Sequence, residues 1–173
     1  MSVRRRSINS ISDLEKDNIN SYLDEIINSI NELSYNPFGG MYSYHDNQLI
    51  TFSASGVNSA CSGLSSLDLR GFDFGSSTLT ANVAGYYLMN YAITLTCSAT
   101  DSFSLGIAID GSQIDSSIIH STIVASAKET ALAGTTIMEL EIGDVITLIL
   151  NNKESTTPVY LQHVLFTITK ISG

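Results

Sequence analysis

The chain has 173 residues, 43% of them hydrophobic, which is enough for one ordinary domain with a compact core plus a short appendage. Only 14% of residues are charged and mean hydropathy is +0.16; Ser, Thr, Gly and Asn stand where most soluble monomers carry Lys and Glu, which suits a β-sandwich or a multimer with buried faces. The net charge of −9 argues against a nucleic-acid partner, because neutralising phosphates takes clustered Lys and Arg.

The basic residues bear this out. Past Asn36 they stand singly, at Arg70, Lys128, Lys153 and Lys170, and the one cluster is Arg4, Arg5 and Arg6. No apolar run approaches the roughly 20 residues of a transmembrane helix, so no membrane insertion is expected. The basic N-terminus has no apolar stretch after it, unlike a secretory leader. Cys61 and Cys97 are too few and too far apart for a disulfide framework or a metal site.

Residues 1–11 read as an extended arm, either a docking peptide that orders against a partner through Arg4, Arg5 and Arg6 or a disordered tail. At Ser12-Asp13-Leu14-Glu15 the spacing is that of a capping box, in which Ser12 and Glu15 satisfy each other's backbone amides, so a helix is expected over 12–36. Ile19, Leu23, Ile26, Ile30 and Leu33 recur at spacings of four, three, four and three, forming a two-heptad seam. Repeated Ile on such a seam favours three or four strands over two. The expectation is a short trimeric coiled-coil stalk; the alternative is a helix packed on its own domain, with Ile27 widening its stripe. Pro37, Gly39 and Gly40 then mark residues 37–47 as a hinge.

From residue 48 to 173 the period is two, and an all-β head is expected. Strands are placed at 48–53, 67–74, 79–83, 86–97, 103–109, 118–127, 131–139, 145–150 and 159–171. The longest, through Gly85–Cys97, has one uniformly apolar face of Tyr87, Met89, Tyr91, Ile93, Leu95 and Cys97. Its other face starts apolar, at Tyr86 and Leu88, and ends polar, as though another subunit covered part of it. Gly85 supplies a turn with positive φ, Asp110-Gly111 a hairpin, Ala133-Gly134 a bulge or bend, and Ile142-Gly143-Asp144 a turn before an apolar strand. In the last strand Val164, Phe166 and Ile168 share one face, and His163, Leu165, Thr167 and Thr169 the other.

Three strings carry a resemblance: Val83-Ala84-Gly85-Tyr86-Tyr87-Leu88-Met89-Asn90-Tyr91, Leu105-Gly106-Ile107-Ala108-Ile109-Asp110-Gly111 and Leu140-Glu141-Ile142-Gly143-Asp144-Val145-Ile146-Thr147-Leu148. In their order and spacing, the chain from 48 to 171 resembles the complement-type and tumour-necrosis-factor-like trimeric jelly roll, as on phage fibres and on bacterial spore-surface collagen-like glycoproteins. That resemblance implies a homotrimer serving assembly, surface display or adhesion. No Gly-X-Y repeat precedes the head, unlike the spore-surface proteins, so a phage virion fibre or decoration protein on the virion surface is the better match, with a spore-surface protein as the alternative. The arm would meet a capsid or tail protein, and Tyr86, Leu88 and residues of the last strand would meet the other subunits.

Enzymatic chemistry finds little support. There is no Gly-x-Ser-x-Gly elbow or phosphate loop, and His45, His120 and His163 fit no catalytic or zinc spacing. No catalytic residue, cofactor or metal ligand is therefore assigned. Asp110, Asp144 and Glu154 come nearest to a cation site if the fold brings them to one end of a sandwich. A lectin-like adhesion module is the main functional alternative: Tyr42, Tyr44 and Asn47, with His45 and Asp46, have the aromatic-plus-amide character of a contact to a host surface glycan. The competing reading packs Tyr42 and Tyr44 at the junction of stalk and head.

Overall fold

The computed structural model describes residues 18–27, 36–124 and 129–173, without the side chains of residues 45 and 46. The arm residues Arg4, Arg5 and Arg6 and the seam residues Ile30 and Leu33 lie outside the described residues. Residues 18–27 form a helix, α1, whose Ile19, Leu23, Ile26 and Ile27 are each about half exposed within the single chain. It belongs to a unit, Met1–Asn36, distinct from the β unit Pro37–Gly173.

Among the described residues twelve strands make two sheets: β1 Phe38–Ile50, β2 Asn58–Ala60, β3 Ser65–Ser66, β4 Phe72–Gly75, β5 Thr78–Ala81, β6 Gly85–Cys97, β7 Asp101–Ile109, β8 Ser112–Gln113, β9 Ile119–Ile123, β10 Thr130–Leu140, β11 Val145–Asn152 and β12 Val159–Ser172. The first sheet has five strands in the order β10-β6-β12-β1-β3. The second has seven, with β4-β5-β11-β7-β8 as its path, β2 on β11 and β9 on β7. All the pairings are antiparallel, and the two sheets pack as a jelly-roll sandwich.

The core follows from the alternation of β6. Tyr87, Met89, Tyr91, Ile93, Leu95 and Cys97 are all buried, the apolar face that the period of two marks out. Across the sandwich they meet Phe103, Leu105 and Ile107 of β7 and Ile146, Leu148 and Leu150 of β11. Each such side chain contributes about 1.5–3 kcal/mol by leaving water. Tyr91 also ties the two layers together, because its hydroxyl donates to the carbonyl of Ser117 beside β7. Ser117 in turn accepts from the Ile107 amide through its own hydroxyl.

The turns read in the sequence form with the expected chemistry. Asp110 and Gly111 both have positive φ, 51° and 76°, between the paired Ile109 and Ser112, which is the twist a two-residue hairpin needs. Gly85 adopts φ 145°, where a Cβ would lie 2.6 Å from the Ser172 carbonyl oxygen.

Three expectations are corrected. Residues 37–47 are not a hinge: β1 starts at Phe38 and pairs along β12, and the compact unit starts at Pro37, so the head does not begin at 48. Gly40 serves close approach here, since a Cβ would sit 2.4 Å from the Phe166 carbonyl oxygen and 2.7 Å from Leu67. Nor does Ala133-Gly134 make a bulge, because β10 pairs with β6 without a register shift from Thr130 to Leu140. Gly134 makes room for Tyr91 instead: a Cβ there would fall 2.5 Å from the ring and its hydroxyl. The 67–74 strand is also broken, with β3 ending at Ser66 and β4 starting at Phe72.

A phenol ring in a packed core cannot yield by that distance. Gly134→Ala is therefore expected to destabilise the fold by about 1–3 kcal/mol, read as a lowered melting temperature.

Candidate functional site: the outer face of the five-stranded sheet

Strand registry lays the outward side chains of the five-stranded sheet in rows. From β10 through β6 and β12 to β1 these run Ala131, Thr94, His163, Tyr44; then Ala133, Ala92, Leu165, Tyr42; then Thr135, Asn90, Thr167, Gly40; then Ile137, Leu88, Thr169, Phe38. A last, shorter row pairs Glu139 with Tyr86. Tyr86 and Leu88 thus occupy neighbouring rows on the outward face of β6, opposite in phase to the core residues.

This face is apolar for a surface. Tyr86, Ile137, Leu165, Phe38, Tyr42 and Tyr44 are between 40% and 67% exposed on it. Large hydrophobic side chains exposed together on one sheet face are the composition that interaction surfaces share. In these rows only Glu139 bears a carboxylate, although the chain holds 17 acidic residues. That carboxylate repels the phenolate of Tyr86 and accepts its hydrogen bond, holding the phenol above its usual pKa. Thr135 donates to Asn90 across the middle row at 2.8 Å, and the rings of Tyr44 and His163 meet edge-on at 4.8 Å between centroids.

The glycan candidates fall on the same surface. Tyr42 and Tyr44 are not in a loop before the first strand; they belong to β1. Asn47, with φ 43°, sits where β1 and β12 shift register between Tyr44 and Gln48.

The carboxylates considered for a cation are not brought together. Asp110 accepts from the Val145 amide at 3.0 Å and Asp144 from the Glu141 amide at 2.8 Å, each holding its own turn at one end of β11. Glu154 lies past the other end of that strand, where it accepts from the Ser102 hydroxyl at 2.7 Å. Eight strand residues, roughly 26 Å, separate them. Among the described residues no cluster of three or more His, Cys, Asp or Glu has the geometry of a metal site. His120 stands on β9 in the seven-stranded sheet, apart from His163 on β12.

A feature that sequence reading missed lies beneath the 153–158 loop. The Asp101 carboxylate, 4% exposed, accepts from Asn152 at 3.0 Å and from the Ser155 hydroxyl at 2.8 Å. Asn152 then accepts from the amides of Glu154 and Ser155 through its side-chain oxygen. This network pins the loop to the sandwich. Asp101 and Asn152 are 51 residues apart, and neither lies in a motif that marks them as partners.

No protein-family model matches the chain, and no curated protein matches it significantly. Solved structures do match by fold. Murine APRIL at pH 5.0 superposes with a TM-score of 0.58 at 11% identity over 79% of this chain and 99% of that one. The Eiger TNF of S. frugiperda gives 0.57 at 12% identity over 79% and 94%. The vertex protein P5 of PRD1 gives 0.51 at 10% identity over 79% and 73%. The head thus has a TNF-like jelly-roll fold, and at these identities the likeness concerns the fold alone.

Cys61 and Cys97 are both buried and unbridged. Burial pushes the Cys61 thiol up to about 12, so at pH 8 only about one part in ten thousand is the reactive thiolate. Cys61 is expected to resist alkylation in the folded protein at pH 8 and to react fully in denaturant, followed by peptide mass spectrometry.

Proposed function

We propose that this protein is a non-enzymatic homotrimeric surface-display protein, most specifically a fibre or decoration protein of a phage virion. The single observation that supports it most is the aromatic-rich outer face of the five-stranded sheet, whose rows carry one carboxylate, on a chain of net charge −9. Copies of an acidic chain repel one another across most of their surface, and association is cheapest where carboxylates are absent. Burying six large side chains on that face supplies the hydrophobic drive. The Ile19, Leu23 and Ile26 side chains of α1, half exposed in a single chain, supply a second surface for self-association, which Ile30 and Leu33 would extend into a three-stranded stalk.

The virion assignment draws on the fold shared with the vertex protein P5 of PRD1. In this reading the arm, through Arg4, Arg5 and Arg6, docks on a capsid or tail protein, and the jelly roll is held outward. Tyr42 and Tyr44 belong to the contact between copies rather than to a glycan site, which leaves Asn47 as the remaining candidate contact to a host surface.

Sedimentation analysis of the full chain is expected to give three times the 18.6 kDa chain mass. Leu88→Asp puts a charge into the proposed contact, and the mass should fall towards that of one chain with the melting profile of the monomer retained. A wild-type chain that stays monomeric at all concentrations, or a Leu88→Asp trimer as stable as wild type, contradicts the proposal.

A further inference from the structure

The outer face of the five-stranded sheet is stepped. In its first two rows the β10 and β6 side carries Ala131 and Thr94, then Ala133 and Ala92, while the β12 and β1 side carries His163 and Tyr44, then Leu165 and Tyr42. The low side opens into a hollow of about 350 Å³ between Ala92, Ala133, Gly134 and Leu165. The alanines leave it open, since Ala92 and Ala133 carry no side-chain atom beyond Cβ. On the other flank of Leu165, towards the first row, lies a second hollow of about 370 Å³, whose walls run from Ala131 and Thr94 across to His163, Tyr44 and Tyr42. Leu165, half exposed, is therefore a ridge with room on both sides.

We infer that Leu165 of one copy seats in the Ala92–Ala133 hollow of the next, and that this size match sets the register of the trimer. The inference rests on the trimeric reading above. Two features favour a second copy as the occupant. The first two rows contain no Asp, Glu, Lys or Arg, so two chains of net charge −9 meet there without opposing charges or a desolvated ion. The ridge and the hollow are both supplied by the same face, so a copy is certain to carry the matching part.

The test is sedimentation of full-length wild type, Leu165→Ala, Ala133→Phe and the double variant across a dilution series. Residues 133 and 165 both point away from the core, and near-UV circular dichroism verifies the fold; Ala133→Leu replaces Ala133→Phe if the larger ring disturbs it. Each single change is expected to raise the midpoint concentration for dissociation by about tenfold or more, one by removing the ridge and the other by filling the hollow. Combining them should return the midpoint to within about threefold of wild type, because the new ring occupies the space that the lost leucine leaves. A wild-type trimer indifferent to Ala133→Phe, or a double variant whose losses simply add, overturns this contact while leaving the trimer standing. A wild-type monomer removes both, and leaves the hollow to an occupant other than a copy of this chain.

Discussion

The pleat of β6 is the constraint on which the rest of this head depends. The strand is paired on both edges, by β10 and by β12, so its register is held from two sides and its side chains have no freedom to exchange faces. A slip of one residue would send Tyr87, Met89 and Tyr91 to solvent and Leu88, Asn90 and Ala92 into the core. The neighbours answer this alternation. Gly134 yields space to the Tyr91 ring, and the Tyr91 hydroxyl reaches across the sandwich to Ser117, so the phase of one strand also determines how the second sheet is attached.

The ends of the sandwich are handled differently from its middle. At one end, carboxylates serve their local turns: Asp110 and Asp144 cap backbone amides near the start of β11. At the other, a carboxylate goes inside. Asp101 tolerates burial because Asn152 and Ser155 donate to it, and a buried polar oxygen with two donors avoids the penalty that an unpaired one suffers. Asn152 uses its remaining oxygen to hold the loop that follows β11, so a long exposed connection is fixed without apolar packing.

The distribution of charge carries the functional argument. An acidic chain with few basic residues has little with which to form ion pairs, and its associations must exploit apolar area and the absence of repulsion. The five-stranded sheet offers both. Its first two outer rows step from Ala131, Thr94, Ala133 and Ala92 on β10 and β6 to His163, Tyr44, Leu165 and Tyr42 on β12 and β1, and the step supplies shape where charge is missing.

Much of this was legible in the amino-acid order. The alternation through Gly85–Cys97 identified which half of β6 is core, Val164, Phe166 and Ile168 did the same for β12, and Asp110-Gly111 announced its hairpin, because side-chain period and turn conformation are local properties. Tyr86 and Leu88 could be placed on an outward face for the same reason. The hinge expected at 37–47 was instead most of β1, since paired glycines look alike whether they loosen a chain or let a carbonyl pass at close range. Gly134 was opaque in the same way, its role residing in a ring 43 residues earlier. Period, hydrophobic face and turns are written in the order of residues. That Ala133, Ala92, Leu165 and Tyr42 form one row and that Asp101 lies under Asn152 emerges on folding, because registry between strands distant in the chain is settled by packing and leaves no local mark.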